Sequence, residues 1–540
     1  MEPIYGIDLG TSNCLAAKVT QLFGEIDVEC LVDEAGNISF PSIVHFEDEV
    51  HSIVGERARE LLPVYPDQTV ELVKTRMGKT LDVPLKIKGK DVLKSPQEIS
   101  SILLKHFQNL HGNSIKRAIL TVPAYFSDNQ KRATLDAGKL AGIEIIEMIE
   151  EPSAAIMYHL YNLHKNDSLK EIIGGNTKNF LVFDFGGGTL DLSLIKVELD
   201  ENGLVKPTVL LNEGDSELGG NNIDFELTKY VIEELSYNYK DDFTNKVLKE
   251  YIFYYEHRKF QNEIDPKVKQ FIMRLKDRVE DAKKKLSDLQ LEKTKILFGD
   301  LRYDSIEISR EEFEIEILDV YFKSKIIDAF ERIKKNIYNK HVIDHVIMVG
   351  GTSQIPYFQN LISSQFTELA DRIVLSETYD KAIALGAAIL GAIKGDIAVP
   401  PFGTNRCHGS VSHDIYVTHK TEKHLLIEHG TPYPLEEAKQ IKFEIRHALD
   451  PGIHLQVKTE LQKYNKETET RIIEESMIND VKFYHPFFYT GEEITVELNI
   501  DSYGLLSFSA KHNITGEEIE FEAKRLYQLS EEQILQLMKT

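Results

Sequence analysis

The sequence predicts an α/β fold of two similar lobes, followed by a smaller antiparallel β domain and a short terminal helix. Three observations carry that reading. Up to about Lys394, short apolar runs alternate with helix-like segments, as strands interleaved with helices do. A strand–Asp–Gly–Thr pattern occurs twice, in "YGIDLGTSN" and again in "FDFGGGTLD", which predicts two half-domains facing each other across a cleft. Beyond "GDIAVPPFGTN" the texture changes to runs such as "IHLQVKT" and "EITVELNIDSYGLLSFSA". Their period of two is that of half-buried antiparallel strands.

Each element has its own signal. Strands are predicted at Ile4–Asp8, Ala118–Val122, Phe180–Asp184 and His345–Val349, and helices at Ser127–Ala141, Ser153–Leu163, Asn222–Glu234 and Phe271–Leu289. The run Ala382–Ile393, "AIALGAAILGAI", is too short to span a bilayer and predicts a buried helix packed through its small residues. Two adjacent prolines and a glycine mark a boundary at Gly395–Asn405. The closing "LSEEQILQLMKT" predicts one short helix, capped by Ser530 with Gln533 completing a capping box. The resulting division is 1–394, a linker 395–405, a β domain 406–525 and a terminal helix 526–540.

Bulk composition narrows the function. A chain of 540 residues is too long for one core. Its net charge of −24 disfavours nucleic acid and anionic membranes, whose phosphates would be repelled. The three cysteines show no CxxC spacing, so neither a disulfide framework nor a zinc site is expected. The N-terminus shows no basic segment followed by an apolar core, and the expected setting is cytoplasmic.

A local anion site is still open to such a chain, because backbone amides can build one. Gly10 and Gly186–Gly188 let the main chain approach a phosphate closely, where a Cβ would block it. Asp8 and Asp184 at strand ends suit a water-coordinated Mg²⁺, and Thr11 and Thr189 add hydroxyl donors. Either turn alone reads as an ordinary β-turn; the matching pair favours phosphate. The strand "VIMVGGTSQIP" ends in two glycines, which fits either a strand–turn–helix corner or backbone lying against a base or ribose. In "RLKDRVEDAKKKLS", Leu275, Val279, Ala282 and Leu286 form one buried stripe. Glu280, Lys283, Lys284 and Ser287 fall on another face, either solvated or gripping a nucleoside. Lys74 in "VKTRMG" and Glu150 and Glu151 in "EEPSAA" fit a surface lysine and a helix-start acid, or a pair that positions water at a γ-phosphate.

With these residues assembled, the chain resembles the 70-kilodalton heat-shock chaperones of the DnaK type. The likeness rests on "GIDLGTSN", "VPAYFSDNQKRATLDAGKLAGI", "IEEPSAA", "VFDFGGGTLDLS", "ELGGNNID", "VEDAKKKLS", "IMVGGTSQIP" and "ALGAAI", in that order. It covers residues 1–394 and, more faintly, the β region to about residue 525. The resemblance implies an actin-like two-lobed ATPase joined to a β-sandwich that binds extended segments of unfolded proteins. It implies Asp8 and Asp184 at the Mg²⁺ water shell, and Asp191 at a monovalent cation such as K⁺. Thr11, Ser12, Asn13 and Gly186–Thr189 would hold the phosphates, and Lys74 and Glu151 the attacking water. The nucleoside of ATP or ADP would lie against Glu280, Lys283, Lys284, Ser287, Gly220, Gly350, Gly351, Thr352, Gln354 and Asp380. Pro123 and Lys131 would relay nucleotide state to the peptide domain, where Ile453 and Leu455 are either pocket residues or core. J-domain and nucleotide-exchange proteins are the implied partners. A sugar-type kinase and a filament protein on the same actin-like fold are the alternatives. Neither accounts for the "VEDAKKKLS" helix together with a β domain.

The chain departs from the family pattern in four places. Gln354 stands where the family usually has an arginine stacked on adenine, and the β domain is shortened around "EESMINDVKFYHPFF". The linker is not the family's leucine-rich acidic run, and the helical lid is reduced to Leu529–Thr540. The last two predict weak coupling, below about fivefold in peptide affinity between ATP and ADP. The first predicts that Gln354→Arg restores a cation–π contact of about 0.5–2 kcal/mol and tightens ADP by roughly 2- to 30-fold. Calorimetry showing no change or a weakening would mean that adenine does not lie against residue 354.

Overall fold

The computed structural model describes the chain except residues 1, 81, 113, 258–263, 299–301, 338–341, 377, 420–421, 445–451, 466–469, 485–490, 523–528 and 539–540. The sequence echo is a structural one. In the first lobe, Ile4–Leu9 pairs antiparallel with Asn13–Leu22 and parallel with Arg117–Val122, at the centre of a six-stranded sheet. In the second, Lys178–Phe185 pairs antiparallel with Leu190–Leu199 and parallel with His345–Val349, at the centre of a five-stranded sheet. Both aspartates therefore leave the carboxyl end of a fully buried central strand.

The predicted helices are present and mostly longer. Asp128–Ala141 starts from the Ser127 cap, with Gln130 completing the capping box. Glu151–Lys165 begins two residues before the predicted start, with Pro152 in its first turn. Pro266–Leu286 starts five residues early, because Asp265 caps it and Pro266 opens it. The small-residue helix Ala382–Lys394 lies against both lobes' elements. A Cβ on Gly386 would fall 1.8 Å from the Ala154 carbonyl oxygen, and one on Gly6 2.2 Å from the Ala388 nitrogen. Main chain meets main chain there, which is why the run holds so many small residues. Among the described residues no helix is long and apolar enough to cross a membrane.

Residues 395–405 are not a free tether. Val399 and Phe402 are fully buried in the same core as the helix Ala382–Lys394. The Val205 amide donates to the Pro401 carbonyl at 3.0 Å, and Asn405 Nδ2 donates to Asp200 at 2.9 Å. Beyond them come two four-stranded antiparallel sheets. Their order is Glu422–Ile427, Asp414–His419, Gly452–Asn465, Thr470–Tyr484 in one, and Lys439–Glu444, Glu493–Ile500, Leu506–His512, Glu518–Glu522 in the other. They share one core that includes Val417 and Leu455 from the first and Val496 and Phe508 from the second. Leu455 is thus a core residue, fully buried, and forms no open pocket here; the Ile453 side chain lies outside the described residues. The terminal helix is Glu531–Leu537, shorter than the sequence implied, with the Ser530–Gln533 capping box formed. Leu529 and Ile534 pack on Leu140 of the first lobe.

The β region is seated on the α/β body through buried polar groups. Lys131 Nζ donates to Tyr433 Oη at 3.2 Å and lies 4.7 Å from that ring's centre. Tyr433 Oη donates to Glu150 at 2.8 Å, and Asn212 Nδ2 donates to Glu150 and to Ser410 Oγ, the latter at 3.0 Å. Arg132 donates to the Leu506 carbonyl at 2.8 Å, and the Leu506 amide donates to Asp128 at 2.9 Å. The His413 ring packs on Tyr125, centroids 4.6 Å apart. Burial, with His429 and Lys131 nearby, pushes His413 down to about 3. A depressed histidine contributes stability above its unfolded value, and that contribution is lost as pH falls from 6.5 towards 3. Going from pH 7 to pH 5 should therefore cost about 2 kcal/mol at this residue. His413→Phe should flatten that part of the denaturant-unfolding curve against pH; equal slopes in both proteins would contradict the assignment.

Candidate active site

The two Asp–Gly turns face each other closely enough to touch. A Cβ on Gly187 would lie 2.2 Å from Ser12 Oγ, and one on Gly188 2.6 Å from Thr11 Oγ1. The second turn is braced from behind. The Gly220 amide donates to the Gly186 carbonyl at 3.0 Å, the Asn221 amide to the Gly187 carbonyl at 2.8 Å, and Thr352 Oγ1 to the Gly186 carbonyl at 2.8 Å. Gly350 takes φ 84°, a conformation that favours glycine, and a Cβ there would strike the Phe185 carbonyl oxygen at 2.5 Å. Contact thus requires glycine at Gly10, Gly187, Gly188 and Gly350, whereas a Cβ at Gly186 or Gly351 would meet no close neighbour.

Between the turns lies a concentration of buried negative charge. Asp8, Glu151, Asp184 and Asp191 are all buried, and Lys74 is the ammonium among them. Lys74 comes from the short turn Val73–Arg76 and donates to Glu151 Oε1 at 2.5 Å. Thr121 Oγ1 donates to Asp8 at 2.8 Å, and the Tyr125 amide donates to Asp191 at 3.1 Å. Burial, reinforced by the Glu151 charge, raises Asp8 to about 6 and Asp191 to about 7, and lifts Asp184 well above the usual carboxylate range. Among the described residues, Oδ2 of Asp184 and Oδ2 of Asp191 have no hydrogen-bond partner. Orphaned, desolvated carboxylate oxygens of this kind fit a hard cation. Among the described residues no three His, Cys, Asp or Glu side chains converge as direct metal ligands. An ion here would be held through its water shell and the phosphates it accompanies.

The charged face of Pro266–Leu286 closes the far end. Lys284 Nζ donates to Glu280 at 2.6 Å, Ser287 Oγ to the Lys283 carbonyl at 2.9 Å, and Lys283 Nζ to Asp224 at 2.7 Å. One cavity of about 580 Å³ runs from the acid cluster to this helix. It is lined by Asp8, Gly10–Asn13, Lys74, Glu151, Asp184, Gly186–Thr189, Gly220, Glu280, Lys283, Lys284, Ser287, Gly350–Thr352, Gln354 and Asp380. Asp191 stands behind that wall, and Pro123 and Lys131 lie away from it, Lys131 at the junction with the β region. Sequence reasoning missed Asp224, Tyr379 and Ile383, which also line the cavity. The "GGNNID" run held Asp224, but nothing in its spacing pointed to Lys283.

The contact between the turns gives a direct test. Gly187→Val would push Ser12 away and prise the two turns apart. ADP affinity should fall by at least about tenfold, roughly 1.4 kcal/mol, with the unfolding midpoint in the absence of nucleotide little changed. Unaltered affinity by calorimetry would mean that the turns do not jointly hold phosphate.

Comparison with known proteins agrees with this geometry. The Hsp70 protein family model matches residues 4–250 and 241–540. The chain is 29% identical to the chaperone protein DnaK of Thermosipho melanesiensis over 577 aligned residues, covering all of this chain and 83% of that protein. It is 30% identical to the chaperone protein DnaK of Mycoplasmopsis agalactiae over 562 aligned residues, covering all of this chain and 81% of that protein. On this match along its length, the chain belongs to the Hsp70 family.

Proposed function

We propose that the protein is an ATP-dependent chaperone of the heat-shock 70 type, hydrolysing ATP and binding extended segments of unfolded polypeptides. One observation carries the reading: a single cavity gathers both Asp–Gly turns, the Lys74–Glu151 pair and the nucleoside helix, in a chain whose β region is seated on the same body. Neither a small-molecule kinase nor a filament protein accounts for that β region.

Each group has a task in phosphoryl transfer, which rests on positioning and electrostatics. The amides of Gly10–Asn13 and Gly186–Thr189 hold the phosphates. Asp8 and Asp184 would hold Mg²⁺ through its water shell, and the ion would offset the phosphate charge. Asp191, one layer behind, is placed to stabilise a monovalent cation such as K⁺. Lys74, held by Glu151, orients the water that attacks in line, with Thr189 beside the γ-phosphate. Glu280, Lys283, Lys284 and Ser287 grip the nucleoside, and Gln354 and Asp380 border the base. The unit 1–394 carries this chemistry; the two sheets of 406–525 form a β-sandwich that takes the peptide, and Glu531–Leu537 is a lid remnant.

Coupling between the two runs through the junction. Glu150 adjoins Glu151, so the residue that accepts from Tyr433 is next in the chain to the one that holds Lys74. The docked linker and these contacts favour stronger coupling than the linker sequence alone implied. J-domain and exchange-factor partners fit the same reading, and a cytoplasmic setting accords with it.

Lys74→Ala removes the water-orienting group and leaves most nucleotide contacts. ATP binding should stay within about tenfold, roughly 1.4 kcal/mol, while single-turnover hydrolysis is nearly abolished. Hydrolysis at the wild-type rate would overturn the role of Lys74. Peptide affinity that is measurable but identical with ATP and ADP would overturn the coupling.

A further inference from the structure

A second cavity, about 620 Å³, opens in the same cleft farther from the acid cluster. One wall comes from residues 62–91 and the other from Tyr254 and the start of Pro266–Leu286. Much of its floor is apolar: Leu62, Val70, Val83, Leu85 and Met273 are buried side chains that line it. Its size is that of a small-ligand site. A narrow third cavity connects the two, sharing Glu71 and Met273 with the outer one and Asp224 and Glu280 with the nucleotide cavity.

The charges lining the outer cavity are mostly accounted for. Lys269 pairs with Asp67 across the cleft, and Lys276 pairs with Glu71 at 2.5 Å while also donating to Tyr254 Oη at 3.2 Å. Arg76 is the exception. It is half-buried, lines the cavity, and its guanidinium makes no hydrogen bond or ion pair among the described residues. Glu71, the nearest acid, is already taken by Lys276. Burial holds the Arg76 guanidinium below its usual range, outweighing the nearby Tyr254 and Glu71. Lys86 adds a second positive charge at the rim with no ion pair among the described residues, beside Asp91, while the other lining acids, Asp67 and Glu71, are already paired.

An unpaired guanidinium above an apolar floor has a defined complement: an anionic head on an apolar body. A carboxylate or phosphate monoester would give the planar fork of Arg76 the bidentate partner it lacks. We propose that this cavity binds a small organic anion, with Arg76 as the group that recognises the head. The occupant would touch both lobes. It would also bear on the turn Val73–Arg76, whose other charged side chain is Lys74 in the nucleotide cavity. The proposal stands on this cavity and does not depend on the chaperone reading.

The test uses the full chain held in saturating Mg·ADP, so that the nucleotide cavity is filled. Phenylbutyrate, phenyl phosphate and neutral phenylbutanol are titrated with saturation-transfer NMR as the readout. Either anion should bind, and the arm that binds more tightly identifies the head group; the alcohol should bind at least about tenfold more weakly. Arg76→Met should weaken the anion by at least about tenfold without lowering the unfolding midpoint, and Arg76→Lys should recover part of the loss. Binding that is equal in wild type and Arg76→Met, or absent for both anions at millimolar concentration, overturns the proposal.

Discussion

The rest of the structure is arranged around one charge imbalance. Four buried carboxylates, Asp8, Glu151, Asp184 and Asp191, face the single ammonium of Lys74. Such a cluster is costly when left alone, since desolvation and mutual repulsion both favour the neutral acids. It persists because two rigid sheets fix the strand ends from which Asp8 and Asp184 project. In the proposed reading, a divalent cation brought in with the nucleotide offsets the carboxylate charge. On that reading, the metal–nucleotide pair completes the electrostatics of the interface between the lobes.

That arrangement explains why the glycines cluster where they do. The turns must approach each other and also admit phosphate, so side chains are excluded at Gly187, Gly188 and Gly350. The same close approach recurs where the helix Ala382–Lys394 crosses Gly6 and Ala154. The turns and the lobe packing therefore draw on the same kind of residue, small enough for main chain to meet main chain or a neighbouring turn. The β region is attached differently, through Lys131, Tyr433, Glu150 and Asn212, all deeply buried. Burial pushes Lys131 down and Glu150 up, opposed by their mutual attraction and, at Glu150, by the hydrogen bonds from Tyr433 and Asn212.

Much of this was legible in the sequence where a local pattern carries the physics. Strand, aspartate and glycine in a fixed order revealed Asp8 and Asp184, and their repetition revealed the paired lobes. The stripe Leu275, Val279, Ala282 and Leu286 is buried as the helical period implied. What local pattern cannot carry was missed. Asp224 meets Lys283 only through the tertiary fold, and Tyr433 is an ordinary aromatic in an alternating run until Lys131 and Glu150 close on it. The prolines of 400–401 read as a break, yet the side chains on either side, Val399 and Phe402, fill the core. Leu455 illustrates the limit of period two: the pattern shows that a side chain faces inward, but not whether that side is a groove or a core.

The claim that matters most is that both lobes hold one nucleotide together. Hydrogen exchange at the backbone amides of Gly10–Asn13 and Gly186–Thr189 tests it, measured with ADP in Mg²⁺ and with ADP in a chelator. The account predicts that Mg·ADP protects both segments together and that removing Mg²⁺ releases both. Protection confined to one turn, or protection of both that ignores Mg²⁺, would contradict it.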